Sequence, residues 1–118
     1  MRTIKFRVWN GEEMMPPSDM FNIASSGQIY NYSGLNVTHI YTIEQFTGLT
    51  DKNGKEIYEG DILQLDNDKN LWVIKYSGCG FRGEPTDKNE LLKGYHLTNN
   101  NYLQFQIIGN IHESPELL

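Results

Sequence analysis

The chain has 118 residues, with fifteen acids against ten bases and a formal net charge of −5. That is one domain's worth of sequence, able to bury roughly two-thirds of the surface its unfolded form exposes, so a core needs neither metal nor disulfide. The single cysteine excludes an internal disulfide framework and fits a reducing, cytoplasmic compartment. No apolar run approaches the ~20 residues that span a bilayer, and the acidic balance repels phosphate backbones on average.

The first predicted strand is Ile4 to Trp9, where Ile4, Phe6 and Val8 alternate with Lys5, Arg7 and Trp9. Its interruption by charge also rules out a signal-peptide apolar region. Asn10-Gly11 reads as a turn, and Pro16-Pro17 stops any continuing ladder. Between Met20 and Thr38 the pattern allows two short strands around Ser25-Ser26-Gly27, followed by a loop at Ser33-Gly34. Asn occurs at twelve positions, and its side chain bonds nearby backbone better in turns than in helices, so helix content should be low.

From Tyr41 to Thr47 a strand places Tyr41, Ile43 and Gln45 on one side. Asp51-Lys52-Asn53-Gly54-Lys55 is a strong turn signal, with Gly54 suited to a positive φ. Ile62 to Leu65 and the nearly continuous apolar run Leu71 to Tyr76 form a predicted hairpin around Asp66–Asn70, the second strand well buried. The three glycines between Gly78 and Gly83 predict a flexible loop, and Asp87 to Leu92 suits one helical turn. Tyr102 to Ile108 alternates as a strand, with Gly109-Asn110 bending it. Ser114 as N-cap and Pro115 at the first helical position start a short terminal turn.

Three segments together resemble the YopX family: Lys5-Phe6-Arg7-Val8-Trp9, the stretch from Gln45 to Ile62 containing Gly48-Leu49-Thr50-Asp51-Lys52-Asn53-Gly54-Lys55 and Glu59-Gly60-Asp61, and Ile108 to Leu118. Val8 stands where Ala is more usual in that family. Residues 12–39 and 78–101 match poorly, so features particular to this member are expected there. The resemblance implies a phage or prophage protein of Gram-positive bacteria, an SH3-type barrel, self-association and no established biochemical role. It supplies no catalytic residues.

Candidate chemistry is sparse. Glu56, Glu59 and Asp61 have the spacing of paired carboxylates, but a turn that positions the next strand explains them more simply. His39, His96 and His112 lack metal-ligand spacing. Cys79 has no assignable base. Gly78-x-Gly80-x-x-Gly83 lacks the following helix that a dinucleotide fingerprint needs. Lys5, Arg7, Lys52, Lys55 and Lys75, with Trp9, Trp72 and Tyr76, offer a phosphate-binding and stacking face, set against a chain with more acids than bases.

The expectation is therefore a mainly β protein: a small SH3-like barrel over 41–118, with an irregular N-terminal β extension over 1–40 and little helix. No enzyme, cofactor, metal or membrane is expected. The partners expected are further copies of the chain or a host or phage protein, with nucleic acid the less favoured alternative. The residues expected at an interaction surface are Phe81, Tyr95, Lys5 and Arg7.

Overall fold

Period-2 alternation and frequent Asn and Gly turns produce an almost wholly β structure, with no α-helix among the described residues. The computed structural model describes residues 5–15, 21–31, 33–65, 70–77, 80–86, 95–96 and 105–118. The chain divides into two compact units, Lys5–Gln45 and one carried by Phe46–Leu118.

In the first unit, β1 (Phe6–Trp9) lies between β2 (Met14–Met15) and the start of β5 (Thr42–Thr50), antiparallel to both. Val8 faces Met15 on one side and Ile43 on the other. The β1–β2 turn is held by Asn10, whose Oδ1 accepts the amides of Glu12 at 2.9 Å and Glu13 at 2.8 Å. A separate hairpin pairs β3 (Phe21–Ile23) with β4 (Ile29–Asn31) around the predicted Ser25-Ser26-Gly27 turn. Asn31 then organises the next loop by accepting the amides of Ser33 and Leu35, each at 3.0 Å. The frequent asparagines thus serve as short-range backbone acceptors.

The second unit holds a five-stranded antiparallel sheet in the order β10-β9-β8-β7-β11, curled into a half-barrel. Its strands are β7 (Asp61–Leu65), β8 (Leu71–Ser77), β9 (Gly80–Pro85), β10 (Tyr95–His96) and β11 (Phe105–Asn110). The short β6 (Glu56–Tyr58) pairs with the end of β5. Ile57, Leu63, Trp72, Ile74, Phe81 and Phe105 form the core, with Leu49, Leu65 and Ile107 packed against it. Ile62 and Val73, paired across β7 and β8, are buried as well. Burial on both faces accounts for the continuous apolar run over Trp72, Val73 and Ile74, whereas Lys75 and Tyr76 are exposed.

Two strand expectations are corrected. Most of the glycine-rich stretch is strand, because Gly80–Pro85 pairs with β8 in full register, from Ser77↔Gly80 to Trp72↔Pro85; cross-strand packing overrides the weak strand propensity of glycine. Ile43 and Gln45 do share one side of β5, and the other, buried side carries Glu44 and Phe46. The short terminal turn forms where expected, as a single 3-10 turn over Pro115–Leu117 with Ser114 at its N-cap position, though the Ser114 hydroxyl makes no capping bond. The strand expected from Tyr41 to Thr47 begins at Thr42 and runs on to Thr50. The expected helical turn at 87–92, the hairpin tip at 66–69 and Cys79 lie outside the described residues.

Candidate functional site

The Asp51 carboxylate is a hub of backbone hydrogen bonds in the second unit. It sits in the turn between β5 and β6, only 3% exposed. Oδ1 accepts the amides of Asn53 and Lys55, both at 2.9 Å. Oδ2 reaches across the sequence to accept the Ile107 amide at 3.0 Å. The neighbouring Lys52 amide donates to the Phe105 carbonyl at 2.9 Å. Asp51 and Lys52 together satisfy backbone groups on β11, the end strand of its sheet, that would otherwise be left bare.

Burial works to raise the Asp51 pKa, but the amides of Ile107, Lys55 and Asn53, aided by the Lys55 charge, outweigh it and hold the carboxyl below its ordinary value. A carboxylate so placed stays ionised and acts as a clamp. It is poorly suited to general-base work, which needs a pKa near the operating pH.

A second clamp follows ten residues of sequence later, at Asp61 in the Glu59-Gly60-Asp61 turn. Asp61 is buried, and its Oδ2 accepts the Tyr58 amide at 2.8 Å. Gly60, at φ 84°, donates its amide to the Ile74 carbonyl at 2.8 Å and accepts from Ile111 at 2.9 Å. This glycine therefore ties the turn to β8 and to the segment after β11, in a conformation that a side chain would strain. Between the two turns, the Thr47 hydroxyl donates to the Ile57 carbonyl at 2.8 Å and accepts the Leu49 amide at 3.2 Å. It fills the gap opened where the β5–β6 register shifts.

The first unit has its own buried polar pair. Arg7 and Glu44 face each other across β1 and β5, and Arg7 Nε lies 3.0 Å from Glu44 Oε1. Their side chains are 11% and 5% exposed. Arg7 is thereby committed to the sheet interior, which explains how a glutamate can occupy the buried side of β5.

Two of the four residues expected at an interaction surface, Phe81 and Arg7, are drawn inward, each within its own unit. Phe81 is 8% exposed and belongs to the core, packed edge-on to Tyr76 with ring centroids 5.2 Å apart. Its cross-strand register, invisible in a glycine-rich segment, turns it inward. Arg7 is buried in its ion pair, and Lys5 is half-buried just before β1. Tyr95 faces Gly83 in β10, its side chain outside the described part of the structure. Of the aromatics assigned to a stacking face, Trp72 is buried and Tyr76 is 55% exposed. Among the described residues, no group of three or more His, Cys, Asp or Glu side chains is placed to hold a metal ion. No helix there is long and apolar enough to cross a membrane.

Sequence reasoning treated Asp51 as turn punctuation and missed its long-range bond. The only available signal was its place in the long segment resembling the YopX family. That family's model, described as YopX protein, matches residues 5–118. The chain belongs to the YopX family. Its fold is shared over 100% of its length with the crystal structure of protein EF1440 from Enterococcus faecalis, at 32% identity, a TM-score of 0.69 and 99% coverage of that chain. Protein yopX from Bacillus subtilis is similar in fold at 22% identity and a TM-score of 0.60, again covering 100% of this chain and 99% of that one. No curated protein matches. In this YopX-family chain, the central and terminal segments that resemble the family meet where Gly60 accepts the Ile111 amide and Asp61 pairs with Asn110, while Asp51 bonds to Ile107 just before the terminal segment.

Proposed function

We propose that this YopX-family protein is a phage-encoded, non-enzymatic interaction protein of the bacterial host cytoplasm that associates with further copies of itself. The observation that supports it most is the exposure of large apolar side chains within the Lys5–Gln45 unit: Leu35 is 65% exposed and Ile40 is 55% exposed, with Ile23 beside the β3–β4 hairpin turn also open. Exposed apolar groups of this kind favour contact with another protein. The buried carboxylates, by contrast, are taken up by backbone amides and suit architecture better than turnover. Light scattering across the micromolar range tests the reading. Wild-type protein is expected above monomer mass, and Leu35→Asp with Ile40→Asp is expected to shift it toward monomer with an unchanged circular dichroism spectrum. A wild-type chain that stays monomeric throughout overturns it.

A nucleic-acid-binding accessory role is the second reading, and one feature favours it. Lys75 and Arg82 lie directly opposite each other on β8 and β9, an arrangement of like charges that costs stability. Arg82 is relieved by Glu84 at 3.3 Å, while Lys75 is exposed. Fluorescence anisotropy with single- and double-stranded DNA and RNA at low salt tests it: salt-sensitive binding weakened by Lys75→Glu supports this role, and no binding at micromolar protein removes it.

A further inference from the structure

Asn followed by Gly occurs twice in the described chain, at Asn10-Gly11 and at Asn53-Gly54, and the two asparagines are held very differently. The Asn10 Oδ1 accepts the amides of Glu12 and Glu13, which fixes its carboxamide over the following residues. Asn53 donates its backbone amide to Asp51, and its exposed side chain takes no partner among the described residues. Gly54 is exposed too, at φ +81°, with nothing within 4 Å of where a Cβ would stand. An unbonded carboxamide followed by a residue with no side chain to block approach is the arrangement in which the backbone can react with its own side chain.

We propose that Asn53-Gly54 is a site of spontaneous covalent modification that weakens the Asp51 clamp. The Gly54 backbone nitrogen attacks Asn53 Cγ and gives up its proton to solvent. The C–N bond of the carboxamide breaks, its nitrogen takes up a proton from solvent and leaves as ammonia, and a cyclic succinimide forms. Water then adds to one of the two imide carbonyls and opens the ring, yielding an aspartyl or an isoaspartyl residue at position 53. No oxidant or reductant is involved. The Gly54 amide donates to the Asp51 carbonyl at 3.0 Å, so the turn must open for attack and the folded protein reacts more slowly than the unfolded chain. Either product adds a carboxylate two residues from Asp51, and the isoaspartyl product also inserts an extra carbon into the backbone. Lengthening the turn there displaces the Lys55 amide from Asp51 Oδ1.

The test is to age the purified full-length protein in mildly alkaline buffer at physiological temperature, with a parallel sample in urea. Peptide mass spectrometry with chromatography resolves aspartyl from isoaspartyl forms. In the folded sample, modification at Asn53 is expected to run severalfold faster than at Asn10, and in urea the two rates should converge. The aged sample should also gain a population that unfolds at lower urea, absent from Asn53→Gln aged alongside. Modification at Asn10 equal to or faster than that at Asn53 in the folded protein overturns the proposal. So does an unmodified Asn53 in folded protein whose urea-treated counterpart reacts there.

Discussion

The carboxylate of Asp51 accepts the backbone amide of Ile107 at 3.0 Å, joining a turn to an end strand across a separation of 56 residues. Because the same carboxylate also accepts two amides of its own turn, turn geometry and strand docking depend on one side chain. Hydrogen bonds to charged groups contribute about 1.5–3 kcal/mol each, and their loss leaves buried donors unmatched. Asp51→Asn is therefore expected to lower unfolding free energy by about 2–3 kcal/mol, read as a lower urea midpoint.

The same clamp predicts an acid response. Its folded-state pKa lies below the ordinary value of 3.8, so the unfolded chain takes up this proton first as pH falls. The stabilisation is fully present above the unfolded value and is lost as pH drops through the folded one. Stability measured by urea denaturation should fall through the region below pH 3.8, and Asp51→Asn should show a shallower fall there. Parallel pH profiles for the two proteins would contradict this.

Arg7 and Glu44 form a buried ion pair, and breaking one side strands the other charge. Arg7→Ala or Glu44→Ala should each cost about 3 kcal/mol or more, whereas Arg7→Met with Glu44→Leu should recover much of that loss. A double-mutant cycle by chemical denaturation measures it. Additive single effects would mean that the two side chains act independently.

Gly109 stands where β11 shifts register against β7. A Cβ there would run into the Ser114 side chain and approach Leu117 Cδ1 at 3.4 Å. Gly109→Ala should destabilise by about 1–3 kcal/mol, the usual cost of overpacking. Adding Ser114→Gly should restore part of it, since that removes the obstructing atoms. Thermal unfolding of the two variants decides the matter.

Phe81 serves the core, so its truncation should act on folding. Phe81→Ala is expected to cost about 3–5 kcal/mol, with any change in association following the loss of structure. A variant that unfolds like wild type yet fails to associate would return Phe81 to the surface.

Several elements were legible because their causes are local. The alternation in Phe6–Trp9, the apolar run Leu71–Tyr76 and the Asn-Gly turn at Asn53-Gly54, with Gly54 at φ 81°, all follow from residue-by-residue rules. The hairpin around Ser25-Ser26-Gly27 was readable for the same reason. Gly80–Pro85 was not, since glycine gives no alternation to read and the strand forms only because β8 offers it a register.

By itself, the sequence determined that this chain is β-rich, where most of its turns fall, and which family it joins, because alternation, turn chemistry and motif order are properties of neighbouring residues. Only the tertiary structure decided that Asp51 would hold Ile107, that Arg7 would pair with Glu44 37 residues away, and that Phe81 would point inward. Those choices depend on which distant strands meet and in what register. Shifting a strand by a single residue reverses its faces, and no local pattern specifies that alignment.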